Sequence, residues 1–191
     1  MTLNLDARSR AAEVRRRMES AFANLDSALF SAGGRVNERA SAISPWSPLD
    51  VAEHVTLTNH FLLKLAEKGA RKSARKLIRG DAAPMKGRIG VDQLESVASH
   101  DFRWEAPEHM LPRGAVTLEA VRATLATQCR QSLSLIDMLP AGEGTLHTIR
   151  MTVLGPDARL DVYELLVFIA LHAERHTAQV RRILSALWTT T

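Results

Sequence analysis

The stretch that decides the fold is 161–188, which reads DVYELLVFIALHAERHTAQVRRILSALW. Its apolar residues recur at steps of three and four, among them Leu165, Phe168, Ile169, Val180 and Ile183. This period predicts one long amphipathic helix. Asp161, followed three residues later by Glu164, has the pattern of a capping box at its start. We therefore expect a last helix that ends at about Trp188.

Two histidines, His172 and His176, lie on this helix at positions i and i+4. One helical turn separates them on the same face, so a single cation can accept a nitrogen from each. Both lie beside the core-facing stripe, where a polar ring without a partner is costly. Hydrogen bonds to carboxylates or backbone would also satisfy the two rings. The spacing alone leaves both alternatives open.

The residues favour His54 as a third ligand, because it lies on the apolar face of another predicted helix. His60 is rotated by about 240° from His54, so the two cannot both face the core. The histidines at 100, 109 and 147 fall in predicted loops. The pair on the last helix is not a zinc-protease motif, because Glu174 lies about 200° around the helix from His172.

The N-terminal part of the chain predicts a first helix. Its apolar residues follow the same steps, at Val14, Met18, Phe22, Leu25 and Leu29. Asn4 or Asp6 can cap its start. Gly33 and Gly34 supply a left-handed stop at its end.

A second helix is predicted to begin after Ser47, a good N-cap that is followed by Pro48 and by Asp50 at the capping-box position. One broad face of this helix holds Val51, His54, Val55, Thr58, Phe61, Leu62 and Leu65. Either Gly69 or Gly80 is expected to end it.

A third helix is predicted after Thr117, which is a suitable N-cap. Its apolar side carries Leu118, Val121, Leu125, Ser132, Leu135 and Leu139. Between the second and third helices, glycines and prolines predict a long irregular connection with one short helix at 91–99. Residues 146–153 are expected to be briefly extended. Four long amphipathic helices predict an all-α four-helix bundle.

The length and composition of the chain limit which classes of protein it can belong to. A chain of 191 residues is about the size of one domain with its own core, so we expect 1–191 to be a single domain. The only cysteine, Cys129, cannot form an internal disulfide, which fits a reducing compartment. The longest apolar run, 165–171, is too short to cross a bilayer. We expect a cytoplasmic protein that does not contact a membrane.

The net charge is +4, and part of the excess lies in one basic stretch. Its members are Lys64, Lys68, Arg71, Lys72, Arg75, Lys76 and Arg79. Clustered cations can meet phosphate, an acidic substrate or RNA. No aromatic residues are interleaved for base stacking, which favours a solvated helix face and disfavours nucleic acid.

Three further side chains are candidates for supporting roles. Gln179 lies two turns after His172, where it can orient a histidine ring or a metal-bound water, or make a hydrogen bond at the edge of the core. Cys129 lies inside the third helix and is expected to be buried and inert. Trp46 is expected to close one end of the bundle as an apolar anchor.

Two motifs resemble a known family. Trp46-Ser-Pro-Leu-Asp-Val-Ala-Glu-His54 is similar to the stretch that opens the second helix of the DinB-like (YfiT-like) metalloprotein superfamily. Leu171-His-Ala-Glu-Arg-His-Thr-Ala-Gln179 is similar to its closing HxxxH motif with a following glutamine. The resemblance implies an up-down-down-up-type four-helix bundle with a trihistidine metal site. Its ligands would be His54, His172 and His176.

The resemblance also implies a homodimer. Three neutral imidazoles would leave a coordination position open for water or substrate, as catalytic zinc sites do, and zinc and nickel both suit imidazole. Family members of known activity include thiol-dependent S-transferases and a thiol-dependent maleylpyruvate isomerase. We therefore expect a metal-dependent enzyme for a small-molecule substrate, with a low-molecular-weight thiol as cosubstrate. A metal-dependent hydrolase and a non-enzymatic metal-binding stress or regulatory dimer are the alternatives. No catalytic residue besides the ligands is identified.

Overall fold

Four long helices make up most of the fold. The computed structural model describes residues 3–80, 94–95 and 106–189, with side chains from residue 9 onward. The helices are α1 (Leu3–Ala32), α2 (Pro48–Arg79), α3 (Leu118–Asp137) and α4 (Val162–Thr189). The all-α class predicted from the sequence is confirmed.

The last helix, α4, supplies much of the core. It packs against α1 and α2, and α3 packs against the same two helices. The five apolar residues that predicted α4 are all fully buried. The capping box at its start is also present, because Asp161 N donates to Glu164 Oε2 over 2.8 Å and Glu164 N donates to Asp161 Oδ1 over 2.9 Å. Arg10 on α1 forms ion pairs with both carboxylates.

The first helix buries its predicted apolar face, from Val14 to Leu29. The predicted caps are wrong, because α1 begins at Leu3 and its first turns include both Asn4 and Asp6. Gly33 follows the helix with a φ of 52°, in the left-handed region that a glycine tolerates.

The second helix begins as predicted. Ser47 Oγ accepts a hydrogen bond from Asp50 N over 3.1 Å, and Asp50 Oδ2 accepts one from Ser47 N over 3.0 Å. Of the two candidate stops, Gly80 is the one used, with a φ of 71°. Gly69 instead lies inside the helix. A glycine fits this position because a Cβ there would come within 2.6 Å of Ile149 Cδ1.

The predicted face of α2 is correct at five of its seven positions and wrong at Phe61 and Leu65. Phe61 and Leu65 are 37% and 38% exposed, whereas Asn59 and Ala66 are fully buried. Both α3 and α4 pack on α2. The buried surface of α2 is therefore broader than a single apolar stripe, and it shifts around the helix along its length. The Phe61 ring packs at the edge of this surface, 4.6 Å from the ring of His109.

The third helix has the predicted cap, with Thr117 Oγ1 accepting from Ala120 N over 3.2 Å. After it, residues 148–150 form a short strand within the segment predicted to be extended. This strand, β1 (Thr148–Arg150), pairs antiparallel with β2 (Arg159–Asp161), which the sequence did not predict. The short helix expected at 91–99, apart from 94–95, lies outside the described residues. In the part of the chain that is described, no helix is long and apolar enough to cross a bilayer.

Candidate metal site

Three histidines meet between α2 and α4. His54 projects from α2, and His172 and His176 project from consecutive turns of α4. All three are buried, and each offers one ring nitrogen within 4.8 Å of the others. The Nε2 atoms of His172 and His176 are 3.1 Å apart. The structure thus brings together the three residues that the sequence singled out.

The fold fixes the orientation of the His54 ring through a backbone contact. His54 Nδ1 donates a hydrogen bond to the carbonyl oxygen of Met110 over 2.8 Å. A ring that donates from Nδ1 keeps its lone pair on Nε2, which is the state a metal needs. Met110 was not predicted, because a carbonyl acceptor 56 positions away leaves no mark in the sequence.

The orientation of the His176 ring depends on two side chains. His176 Nδ1 donates to Gln179 Oε1 over 2.8 Å. Gln179 Nε2 in turn donates to Ser44 Oγ over 3.1 Å, and Ser44 Oγ also accepts from Trp46 N over 3.1 Å. Of the roles predicted for Gln179, the structure therefore supports orientation of a histidine ring. Ser44 was not predicted to support the site.

The loop that carries Met110 is held to α2 by Glu53 as well as by His54. Glu53 is 4% exposed, and its Oε2 accepts hydrogen bonds from the backbone nitrogens of Arg113 and Gly114, over 3.1 and 3.0 Å. Adjacent residues of α2, Glu53 and His54, therefore bind the segment that leads to α3. Sequence reasoning missed Glu53, although an acidic residue next to a buried histidine is a signal that could have found it.

The environment keeps the three imidazoles neutral. Burial lowers the pKa of His54, partly opposed by the hydrogen bond to Met110. Burial, with the nearby His176 and His54, lowers the pKa of His172 well below its usual range. Burial and the nearby His54 lower the pKa of His176 to about 3. Neutral imidazole is the form that binds a metal, so the site does not have to lose protons near pH 7.

The donor set fits a divalent cation of the zinc type. Imidazole nitrogens lie about 2.0–2.1 Å from zinc, so two of them on one ion are at most about 4.2 Å apart. The Nε2 atoms of His172 and His176 meet this limit. The ligand nitrogens of all three histidines lie within 4.8 Å of one another, so the His54 ring needs at most a small rotation to reach the same ion. His54, His172 and His176 can therefore hold a metal ion.

Glu174 and His60 were predicted to face away from the site, and they do; the loop histidines His109 and His147 also lie outside it. Glu174 points toward α1, where its Oε2 accepts from Arg17 Nη2 over 3.0 Å. His60 and His109 are exposed, and His147 is half-buried. These residues do not line the cavity at the three histidines.

The structure bears on three further predictions. Cys129 is half-buried rather than buried, and burial together with Glu19 raises the pKa of its thiol. The ring of Trp46 lies 5.0 Å from the ring of His54, so the predicted anchor borders the site itself. The basic stretch lies on the second half of α2, and its lysines and arginines are exposed or half-buried.

A cavity of about 290 Å³ opens onto the three histidines. Most of its wall is apolar, formed by Trp46, Leu62, Ala106, Pro107, Met110, Met151, Val153 and Phe168. Thr58, Arg175 and Gln179 are the other polar residues that line it in the described part of the chain. None of these described lining residues is acidic.

Fold and site together define a class of protein: a four-helix protein with a buried trihistidine cluster that can hold a metal ion. The comparison with protein families identifies the family, because the DinB superfamily model matches residues 10–180. The chain belongs to the DinB superfamily. No curated protein and no solved structure matches it.

Proposed function

We propose that this protein is a divalent-metal-dependent enzyme, with His54, His172 and His176 as the metal ligands and a low-molecular-weight thiol as cosubstrate. The observation that supports the proposal is the convergence of three neutral, buried imidazoles at the wall of an apolar cavity. Zinc or nickel is the proposed metal, because imidazole suits both.

The arrangement of the ligands favours chemistry over a purely structural role. Structural zinc sites are closed by four protein ligands, whereas catalytic sites keep a position for water or substrate. Here three imidazoles are present and no acidic residue lines the described cavity, so a further position would face the cavity. A divalent cation held there would supply Lewis acidity that lowers the pKa of a bound thiol or water.

The composition of the cavity wall favours a thiol over water as the nucleophile. A hydrolase gains from a general base close to the attacking water, usually a carboxylate or a histidine. The described lining contains no carboxylate, and its histidines are the proposed ligands. A thiol that coordinates the metal would be deprotonated outright, whereas coordinated water would keep a pKa of about 7 and gain more from a base. We therefore place a metal-dependent hydrolase second, and a non-enzymatic metal-binding stress or regulatory dimer third.

The test has two stages. First, metal content is measured on protein purified without chelator, for the wild type, for His54→Ala and for His60→Ala. His60 is an exposed histidine on the same helix, so His60→Ala is the matched control. We expect one equivalent of metal in the wild type and in His60→Ala, and a large loss in His54→Ala.

In the second stage, metal-loaded protein is incubated with bacillithiol, mycothiol or glutathione and a panel of electrophiles. Metal-dependent consumption of a thiol is expected. Turnover of esters or amides without a thiol would support the hydrolase instead. A wild type without stoichiometric metal would refute the site, and metal binding without any turnover would support the non-enzymatic alternative.

The remaining parts of the proposal are supported by the family resemblance and by the sequence alone. They are an up-down-down-up order of the helices, one domain over 1–191, a homodimer, a cytoplasmic location and a small-molecule substrate. Gel filtration with light scattering tests the homodimer. A mass of one chain at micromolar concentration would refute it.

A further inference from the structure

The hydroxyl of Thr58 is a buried polar group at the wall of the cavity. Thr58 lies one helical turn after His54 on α2, lines the cavity and is 5% exposed. Its Oγ1 atom has no hydrogen-bond partner among the described residues. A buried hydroxyl without a partner costs stability, so its presence in a folded protein needs a cause. The adjoining cavity supplies one, because a ligand bound there can provide the missing partner.

Other threonines on the helices are satisfied locally. The hydroxyls of Thr56, Thr124, Thr127 and Thr177 each donate to a backbone carbonyl three or four positions earlier, over 2.7 to 3.0 Å. This bond is the usual way in which a helix satisfies a threonine. The Thr58 hydroxyl does not make it. A threonine in a helix has two accessible rotamers, so a rotation about Cα–Cβ can turn this hydroxyl toward an acceptor in the cavity.

Gln179 and Arg175, which also line the cavity, already have partners. The amide oxygen of Gln179 accepts from His176 Nδ1, and its amide nitrogen donates to Ser44 Oγ. Arg175 has an interaction of its own within the protein. Among these three polar residues of the wall, Thr58 is therefore the one whose side chain a ligand would satisfy.

The missing partner of the hydroxyl should be an acceptor. In folded proteins, buried donors are left unpaired less often than acceptors, so the O–H proton is the part of the group that most needs a bond. A ligand O–H or N–H would add a further donor, and the described wall has no carboxylate to accept from it. A carbonyl oxygen accepts a hydrogen bond without adding a donor.

The rest of the wall determines the body of the ligand. It is mostly apolar, and Leu62, Met151 and Phe168 are part of it. Transfer of apolar ligand surface from water to such a wall is favourable. A volume of about 290 Å³ holds roughly ten water-sized groups, which suits a ligand with a single ring or a short chain.

We propose that Thr58 is a specificity-determining residue, which donates a hydrogen bond to the carbonyl oxygen of a small and otherwise apolar substrate. The inference rests on the proposed function in one respect, since it names the substrate class of the same site. Binding of the ligand itself requires neither the thiol nor turnover, so it can be tested separately.

Three probes of nearly the same shape test the proposal. Acetophenone has a carbonyl acceptor, benzamide has the acceptor together with N–H donors, and α-methylstyrene has neither. Dissociation constants are measured by ligand-observed NMR titration of protein purified without chelator. We expect the wild type to bind acetophenone more tightly than benzamide. Thr58→Val should bind acetophenone about threefold to tenfold more weakly, the effect of one neutral hydrogen bond, and α-methylstyrene equally well.

Two further variants assign the effect to the hydroxyl. Thr58→Ser keeps an O–H group and should retain most of the affinity for acetophenone. Thr56→Val is the matched control, because Thr56 is a buried threonine of the same helix that donates to the Glu53 carbonyl and does not line the cavity. It should lower the melting temperature and leave acetophenone binding unchanged. Thr58→Val should melt at or above the wild type, since it breaks no hydrogen bond, and should keep the metal content of the wild type.

Each contrary result has a distinct meaning. Equal affinity of the wild type and Thr58→Val for acetophenone would overturn the proposal, because water or the helix would then satisfy the hydroxyl. An equal loss for α-methylstyrene would also overturn it, since the cause would be a change in the shape of the cavity. A melting temperature of Thr58→Val as low as that of Thr56→Val would show that the hydroxyl is already bonded, and would overturn it too.

The results also separate this proposal from the proposed function. Benzamide that binds as tightly as acetophenone would refute the carbonyl class even if the protein consumes thiols. Conversely, failure of thiol turnover with an intact effect of Thr58→Val on acetophenone would refute the thiol reaction and leave the role of Thr58 standing.

Discussion

His176 and Gln179 are joined by a hydrogen bond of 2.8 Å, from Nδ1 of the ring to Oε1 of the amide. The bond keeps the proton on Nδ1 and leaves the Nε2 lone pair directed toward His172. Gln179 is itself held by Ser44, from the segment before α2. The orientation of one proposed ligand therefore depends on contacts between distant parts of the chain.

Replacing Gln179 should weaken metal binding without removing a ligand. Removal of such a supporting partner costs about 10- to 100-fold in metal affinity, and we expect Gln179→Leu to fall in this range. Gln179→Glu keeps an acceptor for His176 and should stay closer to the wild type. Competition with a chromophoric chelator measures the affinity. Gln131→Leu, at an exposed position of α3, is the control. Unchanged affinity in Gln179→Leu would show that the bond does not support the site.

Several features that depend on local spacing were predicted correctly from the sequence, although the caps of α1 were not. The i, i+4 pair His172 and His176, the capping box at Ser47 and Asp50, and the cap at Thr117 each involve residues within four positions of one another. Helix geometry and hydrogen-bond chemistry alone determine such patterns. The face of α2 that carries His54 was also predicted, but its position beside the other two histidines came from the family resemblance.

Features that depend on tertiary contacts were missed. The acceptor for His54 is a backbone carbonyl, which every residue possesses, so Met110 has no distinguishing side chain. Ser44 and Gln179 are 135 positions apart, and nothing in either local sequence indicates the pairing. The exposure of Phe61 was missed for a related reason, because a single predicted stripe cannot represent a helix that packs against two neighbours.

Glu53 should be important for the loop before α3. Glu53→Ala removes two hydrogen bonds, to the nitrogens of Arg113 and Gly114, and a typical hydrogen bond contributes about 0.5–1.5 kcal/mol. We expect a loss of about 2 kcal/mol in the free energy of unfolding, and faster hydrogen exchange at these two amides. Glu53→Gln keeps an oxygen that can accept both bonds and should lose less.

Urea unfolding and amide exchange measure these effects. Glu13→Ala, an exposed glutamate on α1, is the control and should change stability by no more than about 0.5 kcal/mol. If Glu53→Ala is as stable as this control, the carboxylate does not hold the loop.

Gly144 should not tolerate a side chain. A Cβ at this position would lie 2.6 Å from Cε2 of Tyr163, whose ring is buried and whose hydroxyl donates to the carbonyl of Leu139. Because the ring cannot move freely, we expect Gly144→Ala to destabilise the protein by about 1–3 kcal/mol. Gly34→Ala is the matched control, since no atom lies within 4 Å of its added Cβ. Equal melting temperatures for the two variants would contradict the predicted clash.

Acid should destabilise the metal-free protein through its buried histidines. Burial lowers the pKa of His172 well below its usual range and that of His176 to about 3. In the unfolded chain each has a pKa of about 6.5. At a pH between the folded and the unfolded pKa values, the unfolded state binds more protons than the folded state. The free energy of unfolding that is present above pH 6.5 is therefore lost as the pH falls.

From pH 7.5 to 5.5, His176 alone should account for about 1.4 kcal/mol of this loss. Urea unfolding of chelator-treated protein at the two pH values measures it, and His176→Gln should lose correspondingly less stability over the same interval. His60→Gln, at an exposed position, should keep the full pH dependence. If His176→Gln and the wild type respond equally to acid, the His176 ring is already protonated or solvated in the folded protein. Neutral imidazoles would then not be the resting state of the site, and metal binding would have to displace a proton from it.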